Sequence, residues 1–177
     1  MNLADILDRR FIVCNLNARS SEEAIRVLAR KLYEEGFVKE SFEEAVLKRE
    51  SEMPTGLPIG EINAAIPHAD IEHVLKPALA VATLASPLPF RIMVEPDNTV
   101  DVRIIFLLAL NEPHAQIKML QTIATALQDP LLLQELVKAH SAEDIYRILT
   151  QIKIEGDETE RAGLKNSEKQ KGGDVKW

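Results

Sequence analysis

The sequence contains one cysteine, Cys14, so neither a disulfide nor a cysteine metal cluster can form within the chain. Its longest unbroken apolar run, residues 104–110, is far too short to span a membrane. The first residues lack the basic-then-apolar order of a signal peptide. These absences together predict a protein of the cytoplasm.

Positive charge is also in short supply. The chain has 21 Lys and Arg against 28 Asp and Glu, which gives a net charge of −7 and a pI near 5.2. Such a balance argues against nucleic acid or an anionic membrane surface as the main partner. With only 7 glycines in 177 residues, the sequence contains no glycine-rich nucleotide loop. Its 46% apolar and 28% charged residues are typical of a globular domain.

The composition changes close to Ile152. Residues 153–177 are mostly charged, glycine or small polar, and their six basic residues balance six acidic ones. A segment of this kind buries too little apolar surface to offset the entropy lost on ordering. We therefore predict one domain over residues 1–152, followed by a tail over residues 153–177 that is disordered or forms a weakly docked helix.

Five helices are predicted from their end signals. The spacing of Ser20 and Glu23 is that of a capping box, and Gly36 is a suitable terminator for the helix that follows. The same box at Ser41 and Glu44 predicts a second helix. It ends before Pro54, and three more helices begin near Asn111–Pro113, Pro130 and Ser141. The residues predicted to face inward on the third helix are Ile117, Leu120, Ala124 and Leu127.

Four segments read as strands: residues 11–16, 64–67, 78–84 and 100–110. The last is apolar on both faces, as expected for a central strand that is covered on two sides. Residues 78–110 read as two successive strands joined by a proline-bearing connection, which interrupts a regular alternation of strand and helix. The predicted fold is therefore α/β, a mixed β-sheet sandwiched between helices on both faces.

His68 is the residue best placed to do chemistry. Pro67 fixes its own φ angle and favours an extended Ile66, so the imidazole should lie at a strand end, on a rigid support and near solvent. A neutral imidazole can attack phosphorus through one nitrogen when an acceptor holds the proton of the other. The alternative is an ordinary surface histidine after a strand.

Two upstream features fit an anion site. Arg49 falls in the last turns of its predicted helix, where it either complements the helix dipole or clamps a phosphate through its planar guanidinium. Thr55, Gly56 and Gly60 lie in the loop that leads to the His68 strand. Small residues there allow backbone N–H groups to approach an anion.

Taken together, these motifs are similar to those of a known family. Residues 49–56 (Arg-Glu-Ser-Glu-Met-Pro-Thr-Gly) and 65–68 (Ala-Ile-Pro-His), at this spacing, resemble the active site of the fructose/mannitol-type enzyme IIA domains of the bacterial sugar phosphotransferase system. Within the family, the sequence of residues 49–56 is most similar to that of the galactitol-type branch. The predicted order of helices and strands resembles that of the family over residues 3–152. The resemblance implies a mixed sheet with helices on both sides.

The resemblance also implies a function. His68 would accept a phosphoryl group from the carrier protein HPr and pass it to a IIB component, which works with a membrane IIC component in sugar uptake. Arg49 would stabilise the phosphoryl oxygens, with further donors from Thr55 and Gly56. No cofactor or metal is required, since the phosphohistidine donor is already activated. Because two proteins dock in turn, we expect an apolar rim, with candidates Ile59, Ile62 and Ile66.

The chain departs from many relatives at one position. They carry a second active-site histidine at the start of the helix that follows the long strand, and alignment on the apolar face places Gln116 there. His114 lies two residues earlier, about 200° away on the helix, so it is a possible second histidine only at the edge of the site. The Gln116 amide can still donate to a phosphate oxygen.

Two other functions stay open from sequence. The first is a regulatory IIA-like domain, in which the phosphorylation state of His68 controls other proteins. The second is a metal enzyme built on His68, Asp70 and His73, although their spacing is not that of a zinc helix. His140 is predicted to be a solvated helix-end residue and Cys14 a core residue.

Overall fold

The computed structural model describes residues 1–152, so the predicted tail over residues 153–177 lies outside the described part. The helices are α1 (Leu3–Ile6), α2 (Ser21–Glu34), α3 (Phe42–Glu52), α4 (Pro113–Ala126), α5 (Pro130–Lys138) and α6 (residues 142–152). A 3₁₀ turn covers Ile71–His73. The strands are β1 (Leu7–Leu16), β2 (Gly56–Leu57), β3 (Asn63–Ala65), β4 (Ala78–Arg91) and β5 (Thr99–Ala109). No helix in this part of the chain combines the length and apolar character needed to cross a bilayer.

The five strands form one sheet in the order β1-β4-β5-β3-β2. β1 runs parallel to β4, and β3 runs parallel to β5. The β4–β5 and β2–β3 pairs are antiparallel. The predicted mixed sheet is therefore confirmed, and β5 has neighbours on both sides, as its doubly apolar sequence indicated.

Alternate residues of the central strands enter two separate cores. Ala80, Ala82, Ile105 and Leu107 pack with α2 and α3 on one face. Leu79, Val81, Ile104 and Phe106 pack with α1, α4, α5 and α6 on the other. This period of two follows from the pleat of a strand, and it confirms the predicted sandwich of helices on both faces.

The hairpin between β4 and β5 is longer than the sequence predicted. β4 continues through Pro87 and Pro89 to Arg91, and only Pro96 lies in the connection. β1 pairs with β4 no further than Leu84, so the two prolines have a strand neighbour on one side only. A proline is tolerated there because it lacks the N–H that a neighbour on the second side would require.

Two predicted helix starts differ in outcome. The Ser20 hydroxyl accepts from the Glu23 backbone N–H, and Gly36 adopts a φ of +77°, so the signals for α2 are confirmed. The box at Ser41 is wrong. Ser41 already has a helical conformation and makes no side-chain cap, and its hydroxyl instead hydrogen-bonds to Nδ1 of His73 at 2.8 Å.

The predicted inner face of α4 is only partly correct: Leu127 is buried and Leu120 packs against the core, but Ile117 does not face inward. Its buried residues are Met119 and Ile123, followed by Leu127 at the C-cap, whereas Ile117 is 58% exposed. Apolar side chains occur on most sides of this helix, so two stripes with helical spacing are possible, and packing against the sheet selects the one that contains Met119 and Ile123.

Gly56 is required by a close approach of two backbones. A Cβ atom added there would lie 2.5 Å from the carbonyl oxygen of Arg91, whereas nothing lies within 4 Å of one added at Gly60. We expect Gly56→Ala to lower the free energy of unfolding by about 1–3 kcal/mol, and Gly60→Ala to leave it almost unchanged. Thermal unfolding of both variants measures the difference, and equal midpoints would contradict the predicted clash.

Candidate functional site

His68 lies on a support that continues the sheet. After β3 ends at Ala65, the chain stays beside β5, and the Pro67 carbonyl accepts from the Leu108 N–H at 3.0 Å. His68 itself forms an isolated bridge with Leu108. The backbone that carries the imidazole is therefore fixed by a central strand, as the sequence predicted.

The imidazole is more enclosed than the sequence predicted. His68 is only 8% exposed, so the expectation of a ring near solvent needs correction. The cause is the continued pairing with β5 beyond Pro67, which keeps the residue at the sheet instead of in a projecting loop. The neighbouring Ala69 is buried as well, and exposure rises again at Asp70.

One ring nitrogen of His68 has a clear partner. Nδ1 lies 2.9 Å from the carbonyl oxygen of Ile66. Because a carbonyl oxygen can only accept, Nδ1 carries the proton, and in the neutral ring Nε2 keeps its lone pair. Burial lowers the pKa of His68 below its usual value of 6.5, and the nearby positive charge of Arg49 lowers it further. The Ile66 hydrogen bond and the charge of Asp70 act in the opposite direction.

Arg49 reaches the same neighbourhood from the last turn of α3. Its Nη1 lies 3.4 Å from Oδ1 of Asp70, a carboxylate that is largely exposed. The Nε atom of Arg49 is buried and has no hydrogen-bond partner in the described part of the chain. A buried donor without an acceptor is costly, so this guanidinium has bonding capacity to spare.

Thr55 does not present its donors to open space. Its backbone N–H donates to the Glu50 carboxylate at 2.9 Å, and its hydroxyl donates to the same carboxylate. Burial raises the pKa of Glu50 above its usual value, and the Thr55 donors oppose that shift. Gly56 belongs to β2 and packs against the Arg91 backbone. The Thr55 donors that the sequence assigned to an anion are therefore engaged by Glu50 in this structure.

Gln116 and His114 occupy the first turn of α4. The Gln116 Nε2 approaches the Ala69 carbonyl at 3.5 Å, directly after His68 in the chain. The alignment that selected Gln116 used Ile117 as an inward residue, which is wrong, yet the amide does point towards this loop. His114 is exposed, and its backbone N–H donates to Glu112, the true N-cap residue of the helix.

The remaining histidines lie apart from one another. His73 is held by Ser41, and His140 is exposed just before α6, whose first turn is capped by Ser141. Within residues 1–152, no three His, Cys, Asp or Glu side chains are grouped so that they could hold a metal ion. The metal enzyme built on His68, Asp70 and His73 therefore has no geometric support. Cys14 is partly buried, and its thiol donates to the Ala139 carbonyl at 3.2 Å.

The predicted apolar rim is only partly in place. Ile66 belongs to the core and Ile59 and Ile62 are half-buried against it, so Ile66 is not a rim residue. Two exposed apolar side chains lie at or beside the start of α4, the helix that carries Gln116. Leu75 is 51% exposed beside the start of α4, where its carbonyl accepts from the Asn111 side chain, and Ile117 follows Gln116.

The sequence reasoning missed two residues near His68. Asp70 was considered only as a metal ligand, although its position two residues after His68 was a usable signal. Glu50 was treated only as part of a motif, because nothing local in the sequence shows that its carboxylate turns back onto Thr55. Both are charged groups whose role depends on contacts made across the fold.

Comparison with known proteins places the chain in a family. The model described as "Phosphoenolpyruvate-dependent sugar phosphotransferase system, EIIA 2" matches residues 5–152. This chain is an EIIA type 2 protein. The assignment agrees with the resemblance found in residues 49–68.

Similar curated proteins include two sugar-specific components. The mannitol-specific EIICBA component of Vibrio cholerae is 31% identical over 146 residues, which cover 81% of this chain and 21% of that protein. The chain thus spans about a fifth of that relative's length. The galactitol-specific EIIA component of Escherichia coli K12 is 24% identical over 127 residues, 72% of this EIIA chain and 84% of that protein.

A solved structure supports the same assignment. The complex of the mannitol enzyme IIA with phosphorylated enzyme IIB of Escherichia coli contains a chain that is 26% identical to this EIIA protein, with a TM-score of 0.66. The match covers 82% of this chain and 99% of that chain. The EIIA fold described above is therefore shared with a domain that was solved bound to a IIB protein.

The lowered pKa of His68 predicts a pH-dependent contribution to stability. Below about pH 6.5 the unfolded chain binds a proton on this residue that the folded protein resists. The contribution is therefore present above that pH and falls as the pH drops through 6.5 towards the folded-state pKa. We expect the difference in unfolding free energy between the wild type and His68→Gln to shrink from about pH 7.5 to about pH 5.5 in urea titrations.

The wild type and the His68→Gln variant share all their other titrating groups. Glu50, with its raised pKa, contributes stability that is present at low pH and lost as the pH rises through its folded-state pKa. Because both chains contain Glu50, its effect cancels to first order in the difference. Parallel stability curves for the wild type and the His68 variant would show that burial does not depress the His68 pKa.

Proposed function

We propose that this EIIA protein is a phosphocarrier that accepts a phosphoryl group from phosphorylated HPr on Nε2 of His68 and passes it to a IIB component. One observation carries the proposal: the Nδ1 proton of His68 is held by the Ile66 carbonyl, which leaves the Nε2 lone pair as the nucleophile. A cytoplasmic location and a membrane IIC component downstream of IIB belong to the same proposal.

The chemical step balances without a cofactor. The Nε2 lone pair of His68 attacks phosphorus, the N–P bond of phosphorylated HPr breaks, and its electron pair returns to the nitrogen of the HPr histidine. The His68 ring becomes positively charged as the new N–P bond forms, because the Nδ1 proton stays in place. The Ile66 carbonyl and the nearby Asp70 carboxylate both favour that charge. Transfer to IIB reverses these events with a different acceptor.

Arg49 is the proposed clamp for the phosphoryl oxygens. Its guanidinium presents a planar set of donors, and its buried Nε lacks an acceptor in the described part of the chain. The phosphoryl group would replace the long 3.4 Å contact with Asp70. Gln116, whose amide lies at the Ala69 carbonyl, is the proposed second donor. The Thr55 N–H and hydroxyl, which are bound to Glu50, support the site instead of binding the phosphate.

Asp70 has a proposed role in keeping the bound group transferable. Its carboxylate lies beside Arg49, so it competes for the guanidinium and repels a bound phosphoryl group. A carrier must release its cargo to the next protein, and a site that bound phosphate too tightly would lower the transfer potential. With Arg49 attracting the phosphoryl group and Asp70 repelling it, the site binds the group with only moderate affinity.

The proposed docking surface for HPr and IIB surrounds the Nε2 side of His68. Exposed Leu75 and Ile117 provide apolar contacts at its border, close to Gln116. The sugar is specified by IIB and IIC, since a IIA protein touches only phosphate and its protein partners. Because similar proteins are named for galactitol and mannitol, we propose a hexitol or fructose-like sugar and galactitol as the first to test.

The first prediction concerns the phosphorylated residue. His68→Ala should abolish labelling by phosphoenolpyruvate through enzyme I and HPr, because the only proposed nucleophile is removed. His73→Ala, His114→Ala and His140→Ala should be labelled like the wild type, and they serve as matched controls. Autoradiography with phosphorus-32 measures the result. Persistent labelling of the His68 variant would assign the phosphoryl group to another residue.

The same assay separates transport from regulation. Labelled protein is mixed with purified IIB components of the galactitol, mannitol and fructose systems, and phosphoryl loss from the IIA chain is followed over time. Rapid transfer to one IIB protein supports the transport role. Labelling by HPr without transfer to any IIB protein supports the regulatory alternative, in which the phosphorylated state of His68 is itself the signal.

The second prediction concerns Arg49. Arg49→Ala should slow both phosphoryl acceptance and phosphoryl donation by about a hundredfold, since a preorganised charge on the transferred group is lost. Arg49→Lys should retain part of the rate because it keeps the charge but loses the planar pair of donors. Rapid-quench kinetics measure both steps, and unchanged circular dichroism shows that the fold is intact. Wild-type rates in Arg49→Ala would remove Arg49 from the mechanism.

A further inference from the structure

A chain of hydrogen bonds connects Glu50 to the backbone beside His68. The Thr55 hydroxyl donates to the Glu50 carboxylate at 2.9 Å and accepts from the Ile66 N–H at 3.2 Å. Because an ionised carboxylate only accepts, the hydroxyl proton is directed towards Glu50, and the oxygen lone pairs remain free for Ile66. The carboxylate therefore fixes the direction of the hydrogen bond that holds Ile66.

Ile66 is held at three points. Its N–H is bound by Thr55, its side chain is 3% exposed within the core, and the next residue, Pro67, is tied to β5 through its carbonyl. These restraints leave the Ile66 carbonyl a single direction, and in that direction it accepts the Nδ1 proton of His68. The tautomer of the imidazole therefore depends on the position of this one peptide group.

We propose that Glu50 and Thr55 are positioning residues that hold the Ile66 backbone so that His68 keeps its proton on Nδ1 and its lone pair on Nε2. This inference rests on the proposed function, in which Nε2 is the nucleophile. Neither Glu50 nor Thr55 touches the reacting atoms. Their effect is transmitted through the two hydrogen bonds of Ile66.

Removing the Thr55 hydroxyl has a defined consequence. In Thr55→Val the shape of the side chain is kept, but the Ile66 N–H loses its acceptor in a buried position. An unsatisfied buried donor is costly, so the Ile66 backbone shifts to find another acceptor. The carbonyl then moves away from Nδ1, and the proton of the neutral ring exchanges between both nitrogens. A ring with its proton on Nε2 cannot attack phosphorus through that atom.

The chain contains a matched control for this substitution. Thr83 is also a buried threonine, and its hydroxyl accepts the backbone N–H of Asn15 at 2.9 Å between β4 and β1. Thr83→Val thus removes the same kind of hydrogen bond on the opposite side of β5 from the segment that carries His68. Thr55→Ser is the conservative variant, because it keeps the hydroxyl and loses only a methyl group.

The experiment measures the tautomer of His68 directly. Proteins labelled with nitrogen-15 are studied by NMR of the imidazole nitrogens, together with the phosphorylation rate from phosphorylated HPr and the thermal unfolding midpoint. We expect one Nδ1–H tautomer in the wild type, Thr55→Ser and Thr83→Val. We expect a mixed tautomer population in Thr55→Val, with phosphorylation slowed by about tenfold. Both valine variants should lose comparable thermal stability.

Glu50→Gln tests the first link of the chain. Glutamine keeps one oxygen for the Thr55 N–H, but its NH₂ group cannot accept the hydroxyl proton. The hydroxyl is then no longer fixed in direction. We expect a smaller population of the second tautomer than in Thr55→Val and a phosphorylation rate between those of Thr55→Val and the wild type. A Glu50→Gln spectrum identical to that of the wild type would remove Glu50 from the proposal.

The outcomes separate this inference from the proposed function. If Thr55→Val lost stability but kept a pure Nδ1–H tautomer and the wild-type rate, Thr55 would be only structural and the inference would be overturned. The same follows if Thr83→Val changed the tautomer equally. If the wild type were never labelled on His68, the proposed function would fail, whereas the tautomer shift in Thr55→Val would still be measurable.

Discussion

The hydrogen bond from Nδ1 of His68 to the Ile66 carbonyl is the interaction on which the site depends. It selects the nitrogen that carries the lone pair, and in the proposed transfer it would also offer an acceptor to the ring as positive charge develops. A side-chain carboxylate could do the same, but a backbone carbonyl cannot be protonated and does not change rotamer. Its precision comes from the sheet, because Pro67 and His68 both remain attached to β5.

The electrostatics of the site are balanced between opposing influences. Burial and the Arg49 charge lower the pKa of His68, while Ile66 and Asp70 counteract them. The first pair favours the neutral imidazole, and in the proposed transfer the second pair would accommodate the charge that phosphorylation creates. A site with Arg49 alone would hold the phosphoryl group firmly, and a site with Asp70 alone would repel it. The pair, separated by 3.4 Å, suits a protein that must both receive and release.

Much of this arrangement could be predicted from the sequence, because it depends on local chemistry. The doubly apolar run of β5, the Ser20 cap and the helix terminator Gly36 are local signals, and all were confirmed. Predictions failed where tertiary contacts decided the outcome. Ser41 hydrogen-bonds to His73 instead of capping α3, and α4 buries Met119 instead of Ile117. In both cases the outcome depends on a contact with residues distant in sequence.

The same distinction explains which parts of the site were found. His68 and Arg49 belong to residue types that can take part in phosphoryl chemistry, so they can be identified as candidates from the sequence. Thr55 was assigned to the anion because small residues in a loop allow backbone N–H groups to approach one, and the carboxylate that engages the Thr55 N–H is visible only in the fold. A residue that binds the cargo and a residue that supports the nucleophile can thus share one motif. Separating them requires knowing where each hydrogen bond ends, and for Thr55 it ends on the peptide group that positions His68.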